Sequence, residues 1–240
     1  MLLIVLLVCH KRLRKLSKKL GVVTIGQAPR DDLIEDFLRN LPTNVEVIQV
    51  GALDDLNLEM ITSQLSPEVG EILYITRLRN GSEVRVSKNK LLPLMQSKIS
   101  YLDSIGVDII TILCSGEFPQ FEAKTPIIYP DKVLKGIASS ISYDGKVAVL
   151  IPGREQVNYA YDKWSEYFRE LEVIPISPYS SRMQDFIDVA KFIKENKIEF
   201  VIMDCMGYRL LHKDTLKNVA RNSRIITTRG VLAKVLTEIM

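Results

Sequence analysis

Two cysteines in this chain stand in matching settings. Cys114 closes the run Val107-Asp108-Ile109-Ile110-Thr111-Ile112-Leu113, and Cys205 closes Ile198-Glu199-Phe200-Val201-Ile202-Met203-Asp204. Each is followed by one residue and then a glycine, Gly116 or Gly207. Such runs read as buried parallel strands, and open α/β sheets collect ligands at the carboxyl ends of their strands. A thiolate is both base and nucleophile, and an ordinary cysteine titrates near pH ~8.5. Backbone N–H groups and the positive end of a following helix lower that value. With one sulfur ionised and the other protonated, a carbon acid held between them loses a proton on one face and regains one on the other. That is stereoinversion with no cofactor and no metal. It needs sulfurs about 7 Å apart, from two contacts of roughly 3.5 Å on opposite faces of one carbon. The plainer alternative is that each cysteine fills a core, as this buried residue type often does.

Around the thiols stand residues that could tune the chemistry or hold a substrate. Glu117 and Asp204 flank them as carboxylates that could shuttle protons, although Asp204 could equally cap local backbone groups. The backbone N–H groups of Ser115, Gly116, Met206 and Gly207 are candidate donors to an enediolate oxyanion. Gln27 and Arg30 follow an early strand; Arg30 either grips a carboxylate through paired hydrogen bonds or is a surface charge near a helix start. Arg77 and Arg229 are further carboxylate candidates. Gln156 could point into the cleft, Tyr208 could line its edge, and His212 reads as a solvated or capping residue.

The elements that would carry these groups follow an α/β pattern, apolar strands alternating with amphipathic helices. Val22–Ile25 runs into Gly26-Gln27-Ala28-Pro29-Arg30, and a helix follows with Leu33, Ile34, Phe37, Leu38 and Leu41 at helical spacing. Strands are expected at 45–50 and 127–128, and helices at 91–105 and 132–140. The pattern then restarts with the strand 146–151, Pro152-Gly153-Arg154, and a helix from about Glu155 to Leu171. A strand at 173–176, a helix at 183–196, the Cys205 strand, a strand at 224–228 and a closing helix complete it. A glycine-containing loop thus opens each half and a cysteine strand follows. The fold class expected is α/β, two similar lobes with mainly parallel sheets facing each other across a cleft. The first lobe spans 19–120, with a hairpin insertion near 74–86 marked by Asn80-Gly81 between alternating runs. The second spans 121–229, and the closing helix 230–240 is a candidate to pack on the first. The hairpin is either a flap over the cleft or a solvated edge.

Bulk properties narrow the classes. The 240 residues are 47% hydrophobic and 25% charged, ordinary values for a globular chain. The net charge of +3 misleads, because six of the 32 basic residues fall in 1–20 with no acid among them. The remainder is mildly acidic, which gives no electrostatic reason to expect nucleic acid. Met1–Val8 is apolar but too short to span a bilayer, and the basic run after it reverses the order of a secretory signal. Residues 1–18 are set aside as an extension or, alternatively, a short membrane-surface anchor. Three scattered cysteines make no disulfide framework, so a reducing cytoplasm is the default. Two histidines and no CxxC or HExxH pattern argue against a zinc site.

The motifs Val23-Thr24-Ile25-Gly26-Gln27-Ala28-Pro29-Arg30, Gly51-Ala52-Leu53-Asp54, Thr76-Arg77-Leu78-Arg79-Asn80-Gly81, Leu113-Cys114-Ser115-Gly116-Glu117-Phe118 and Asp204-Cys205-Met206-Gly207-Tyr208 together resemble the AroM family. Pro152, Gln156, Lys163-Trp164 and Ser177-Pro178-Tyr179 extend the likeness over nearly all the chain from residue 19. The family's name implies a genomic association with aromatic amino acid synthesis. More distantly, the layout is similar to the aspartate/glutamate racemase superfamily. That resemblance implies two Rossmann-like lobes with one catalytic cysteine after a strand in each, no cofactor, and a small carboxylate-bearing substrate. A homodimer is one expected assembly. Ile225-Ile226-Thr227-Thr228-Arg229 resembles the strand-plus-threonine element near that superfamily's carboxylate site, which adds Thr228 to the candidate binding residues. Amino acid racemases follow their cysteines with Asn-Thr and with Thr; here Ser115-Gly116 and Met206-Gly207 stand instead, so the grip on an α-amino-carboxylate is altered. A metabolite-binding or regulatory protein linked to aromatic metabolism is the competing expectation.

Overall fold

The computed structural model describes residues 17–38 and 41–240. The proposed extension falls almost wholly outside the described residues. Its expected limit is nonetheless too late by one residue, since β1 (Lys18–Thr24) already pairs at Lys18 with Val45.

Two four-stranded sheets, parallel throughout, build the molecule. The first has the order β2 (Val45–Gly51), β1, β5 (Ile109–Ile112), β6 (Ile127–Ile128). The second has the order β10 (Arg224–Thr227), β9 (Phe200–Met203), β7 (Val147–Ile151), β8 (Leu171–Pro175). Parallel strands need crossovers, and helices cover the sheets as a result. All five residues of β7 are buried, which explains why its sequence is an unbroken apolar run. The α/β class and the two mainly parallel sheets are as the sequence predicts.

The helices are α1 (Asp31–Leu38), α2 (Leu58–Leu65), α3 (Lys88–Ser104), α4 (Pro130–Ser139), α5 (Val157–Ser165), α6 (Met183–Glu195), α7 (Leu210–Val219) and α8 (Thr228–Ile239). Two of them tie the lobes together. α4 follows the first sheet but buries Leu134 and Ala138 with Val147, Val149 and Trp164 of the second lobe. α8 follows the second sheet but buries Leu232, Ala233 and Leu236 with Leu20, Val22, Leu33 and Ile34 of the first. Each fully buried leucine contributes about 2 kcal/mol, so the exchange is a substantial clasp.

The structure departs from the sequence-based elements in three places. The helix predicted over 155–171 is a short 3-10 turn, Arg154–Gln156, followed by α5, which stops at Ser165. There the N–H groups of Tyr167 and Phe168 both turn back to the Trp164 carbonyl, burying Phe168 and freeing Leu171 to start β8. The helices α2 and α7 are additional. α2 starts where the Asn57 side chain accepts from the Met60 N–H at 2.8 Å, and it buries only Ile61 and Leu65.

The hairpin is present as β3 (Leu73–Arg77) and β4 (Glu83–Ser87), with Gly81 at φ +88° in its turn. It is not a solvated edge. Glu83 accepts from the Ser177 hydroxyl at 3.0 Å, Arg85 pairs with Glu155 at 2.8 Å, and the Leu73 carbonyl accepts from Gln156 Nε2 at 3.1 Å. All three partners belong to the second lobe, so a first-lobe hairpin roofs the cleft.

Candidate active site

β5 and β9 each neighbour the strand whose loop opens their lobe, β1 and β7, and both deliver a cysteine just past their carboxyl ends. Beyond each sulfur the chain doubles back. The Gly116 N–H donates to Cys114 Sγ at 3.3 Å and the Gly207 N–H donates to Cys205 Sγ at 3.3 Å. Glycine is required at both places by close approach: a Cβ on Gly116 would lie 2.6 Å from Tyr74 Cζ, and one on Gly207 2.6 Å from the Tyr179 hydroxyl. The matching x-Gly steps thus make matching sulfur environments. The Gly116 and Gly207 amides, expected as donors to a substrate oxyanion, here donate to the sulfurs.

Both cysteines line one cleft. Tyr74 and Ile75 of the hairpin, Ser115 and Gly116, Ile151 and Pro152 at the end of β7, and Gln156, Tyr159, Ala160, Lys163 and Asp204 complete its wall. Cys205 is 9% exposed and Cys114 is partly exposed. Burial pushes the Cys205 thiol up to about 11, against the opposing pull of the Gly207 N–H. Burial also pushes Cys114 well above its ordinary value, again opposed by the glycine N–H, with charge on Cys205 raising it further and charge on Lys163 lowering it.

Beneath them lies a buried ion pair. Lys163 Nζ donates to Asp204 Oδ2 at 2.9 Å and to the Ser115 carbonyl at 2.9 Å, and Trp164 Nε1 donates to the same Oδ2 at 2.8 Å. The Lys163 and Asp204 side chains are 1% and 6% exposed. Lys163 thereby joins the Cys114 loop of one lobe to the Cys205 strand of the other. Sequence reasoning placed neither Lys163 nor Tyr159 nor Tyr74 in the site. Helical spacing carried the signal for two of them: Gln156, Tyr159, Ala160 and Lys163 recur at i, i+3, i+4 and i+7 after the β7 loop.

Of the other expected residues, Ser115, Gly116 and Gln156 line the cleft with the cysteines. Glu117 sits beside it, ion-paired to Lys135; its N–H donates to Tyr159 Oη at 3.2 Å and its carbonyl accepts from Tyr74 Oη at 2.7 Å. Burial raises the Glu117 carboxyl, but Lys135 and Tyr159 outweigh it and hold the group below the usual range. Gln27 is spent on loop structure, donating to the Leu53 and Leu56 carbonyls and accepting from the Arg79 N–H.

The arginines are corrections. Arg30 is 4% exposed and forks onto Asp32 with bonds of 2.8 and 2.9 Å, so it is neither a surface charge nor an open clamp. Its guanidinium also lies 5.8 Å from the centroid of the Tyr179 ring. Arg229 donates to the Met206 and Asp32 carbonyls. Arg77 donates to Gly81 O inside the hairpin turn. Three more residues turn away from the cleft. Tyr208 is fully buried, with its hydroxyl donating to the Ile176 carbonyl at 2.7 Å. Met206 packs among Leu20, Leu113 and Leu232. Thr228 donates to the Met203 carbonyl at 3.1 Å. His212 is a cap but not solvated: it is 3% exposed, accepts from the Arg209 N–H, and stacks on Phe186 at 4.3 Å. Among the described residues no cluster of three or more histidine, cysteine or carboxylate side chains could hold a metal.

Two parallel-sheet lobes, each ending a strand in a cysteine at a shared cleft, define the racemase-type two-lobe fold. The chain belongs to the AroM family, whose sequence model, described as AroM protein, matches residues 20–240. Among curated proteins none matches the sequence. Among solved structures, it is similar to the allantoin racemase of Pseudomonas fluorescens (TM-score 0.63, 10% identity, 92% of this chain and 90% of that one). It is also similar to the maleate isomerase of Pseudomonas putida S16 (TM-score 0.58, 12% identity, 92% of each). The aspartate racemase of Picrophilus torridus is a further match (TM-score 0.56, 14% identity, 92% and 94%). At these identities the likeness is one of fold.

Proposed function

We propose that this AroM-family protein is a cofactor-independent racemase- or isomerase-type enzyme. Cys114 and Cys205 move protons at a carbon next to the carboxylate of a small acid. The observation that carries this reading is that both sulfurs line one cleft, each with a glycine N–H aimed at it. In the reaction one thiolate takes the carbon-bound proton, breaking C–H and making S–H. The opposite thiol then gives its proton to the other face, and the two sulfurs end with exchanged protonation. The glycine N–H groups favour a thiolate at either sulfur, and the Lys163 charge favours one at Cys114. The fold neighbours act on substrates of their own; their names support the class of chemistry and leave this substrate open. A small acid is the expected partner, with a cytoplasmic setting and a homodimeric assembly proposed alongside. In the described residues no helix is long and apolar enough to cross a membrane.

The test is deuterium entry from heavy water into a panel of small dicarboxylates, amino acids and shikimate-pathway acids. Exchange at one carbon, lost in Cys114→Ser and Cys205→Ser, is the expected result. Because Cys205 titrates at about 11, kcat/KM for exchange should rise about tenfold per pH unit between pH ~7 and ~10. A flat profile would sink the assignment of thiolate as base.

One observation favours a second reading, a metabolite-binding or regulatory module tied to aromatic metabolism. Burial raises both thiols, so in the free protein both are protonated near neutrality. That reading expects ligand binding unaltered by either serine substitution and no exchange into any acid.

A further inference from the structure

Two residues of the cleft wall each carry a buried hydrogen-bond acceptor that no protein group satisfies. Asp204 is 7% exposed, and while its Oδ2 takes both Lys163 and Trp164, its Oδ1 is buried without a partner. Gln156 Oε1 is likewise buried and unpartnered. Its orientation is set by the amide's other end, since Nε2 donates to the Leu73 carbonyl, which can only accept. Both residues line the same cleft as the two thiols. Leaving a buried acceptor unpaired costs as much as losing a hydrogen bond outright, so a wall holding two of them selects for a ligand that donates.

Charge points the same way. Among the residues lining the cleft, Lys163 is the cation and Asp204 the anion, and they already neutralise each other. The arginines that would hold a second carboxylate are engaged elsewhere: Arg30 with Asp32, Arg229 with two backbone carbonyls, Arg77 with its own hairpin turn. A dianion would enter a charge-balanced cleft and face two lone-pair acceptors. A molecule carrying N–H or O–H groups would meet them.

We infer that the substrate bears, on the reacting carbon, a neutral primary amide in place of a second carboxylate, its two N–H groups donating to Asp204 Oδ1 and Gln156 Oε1. This rests on the proton-transfer reading for its reacting carbon, but its test does not. Three probes share one carbon skeleton: malonamate, with one carboxylate and one amide; malonate, with two carboxylates; and N,N-dimethylmalonamate, whose amide has no N–H. Their binding is measured by calorimetry on the Cys114→Ser/Cys205→Ser protein, where proton transfer plays no part. Malonamate should bind about tenfold or more tightly than either comparison, the discrimination expected when a buried acceptor is left unpaired. Gln156→Leu should shrink that preference toward unity. Malonate binding as tightly as malonamate, no effect of dimethylation, or no binding of any probe below about 10 mM overturns the inference. Deuterium entry into malonamate with the unmodified protein reports separately on the thiols. A donor preference without exchange would leave the donor-selecting cleft standing and remove malonamate as a turnover substrate.

Discussion

At the scale of single residues, the site is a set of buried polar groups held by few partners. The two thiols face a cleft wall of tyrosines and aliphatic side chains, and burial moves both away from ionisation. The Lys163–Asp204 pair is the most buried charge pair among those described, and three donor–acceptor contacts converge on it. Removing one member of such a pair strands the other charge away from water. Lys163→Met should therefore cost about 3–5 kcal/mol, read as a shift in the urea unfolding curve. Lys163→Met with Asp204→Leu should recover much of that loss because no charge is left unpaired. A single variant as stable as the parent would show that the carboxylate finds water, and that the cleft is wetter than its lining implies.

At the scale of elements, α7 shows how local chemistry starts a helix that hydrophobic spacing does not announce. Leu210 and Leu211 are exposed, so the first turn has no apolar stripe to read. Its start is made by His212 Nδ1, which accepts from the Arg209 N–H while the ring stacks on Phe186 and meets Tyr208 edge-on. Burial, with some help from Arg209 and Arg229, lowers the His212 value from 6.5 to about 4. The ring is thus neutral in the folded protein when the unfolded chain would already hold a proton. Stability from this site is complete above pH 6.5 and is lost as pH falls from 6.5 toward 4. The loss should reach on the order of 3 kcal/mol. His212→Asn keeps an acceptor for the cap and removes the titration, so its unfolding free energy should vary less across that window. Equal pH slopes in the two proteins would place the acid sensitivity elsewhere.

At the scale of the whole molecule, the cleft is closed by parts that cross between the lobes. α4 and α8 each pack on the sheet they do not follow, and the β3–β4 hairpin reaches over to Glu155, Gln156 and Ser177. The Arg85–Glu155 pair is exposed on both sides, so its loss should cost no more than about 1 kcal/mol. Its effect should be local instead. Arg85→Ala with Ser177→Ala should speed hydrogen exchange in 73–77 and 83–87 while leaving the two parallel sheets as protected as before. Unchanged exchange in the hairpin would mean that the apolar packing of Tyr74, Val84 and Val86 holds the roof unaided.

Much of this protein was legible in its residues. Unbroken apolar runs such as Val147–Ile151 announce strands buried on both faces, and the repeated cysteine-x-Gly step announces two matching strand ends, although that its glycines clear Tyr74 and Tyr179 emerged only from the packing. Period and composition suffice for the strands, because both report directly on burial. The short helices α2 and α7 escaped, since caps rather than apolar stripes begin them. Binding roles escaped for a different reason. An arginine's sequence neighbourhood does not reveal whether a carboxylate such as Asp32 will already occupy it, and a helix lysine does not disclose that it will reach Ser115 and Asp204 on opposite lobes. Which polar groups are spent on the protein and which remain for a ligand depends on contacts between residues far apart in the chain. Spacing along one strand or helix carries strands, thiols and glycines; only the packing of one lobe against the other decided what the cleft has left to offer.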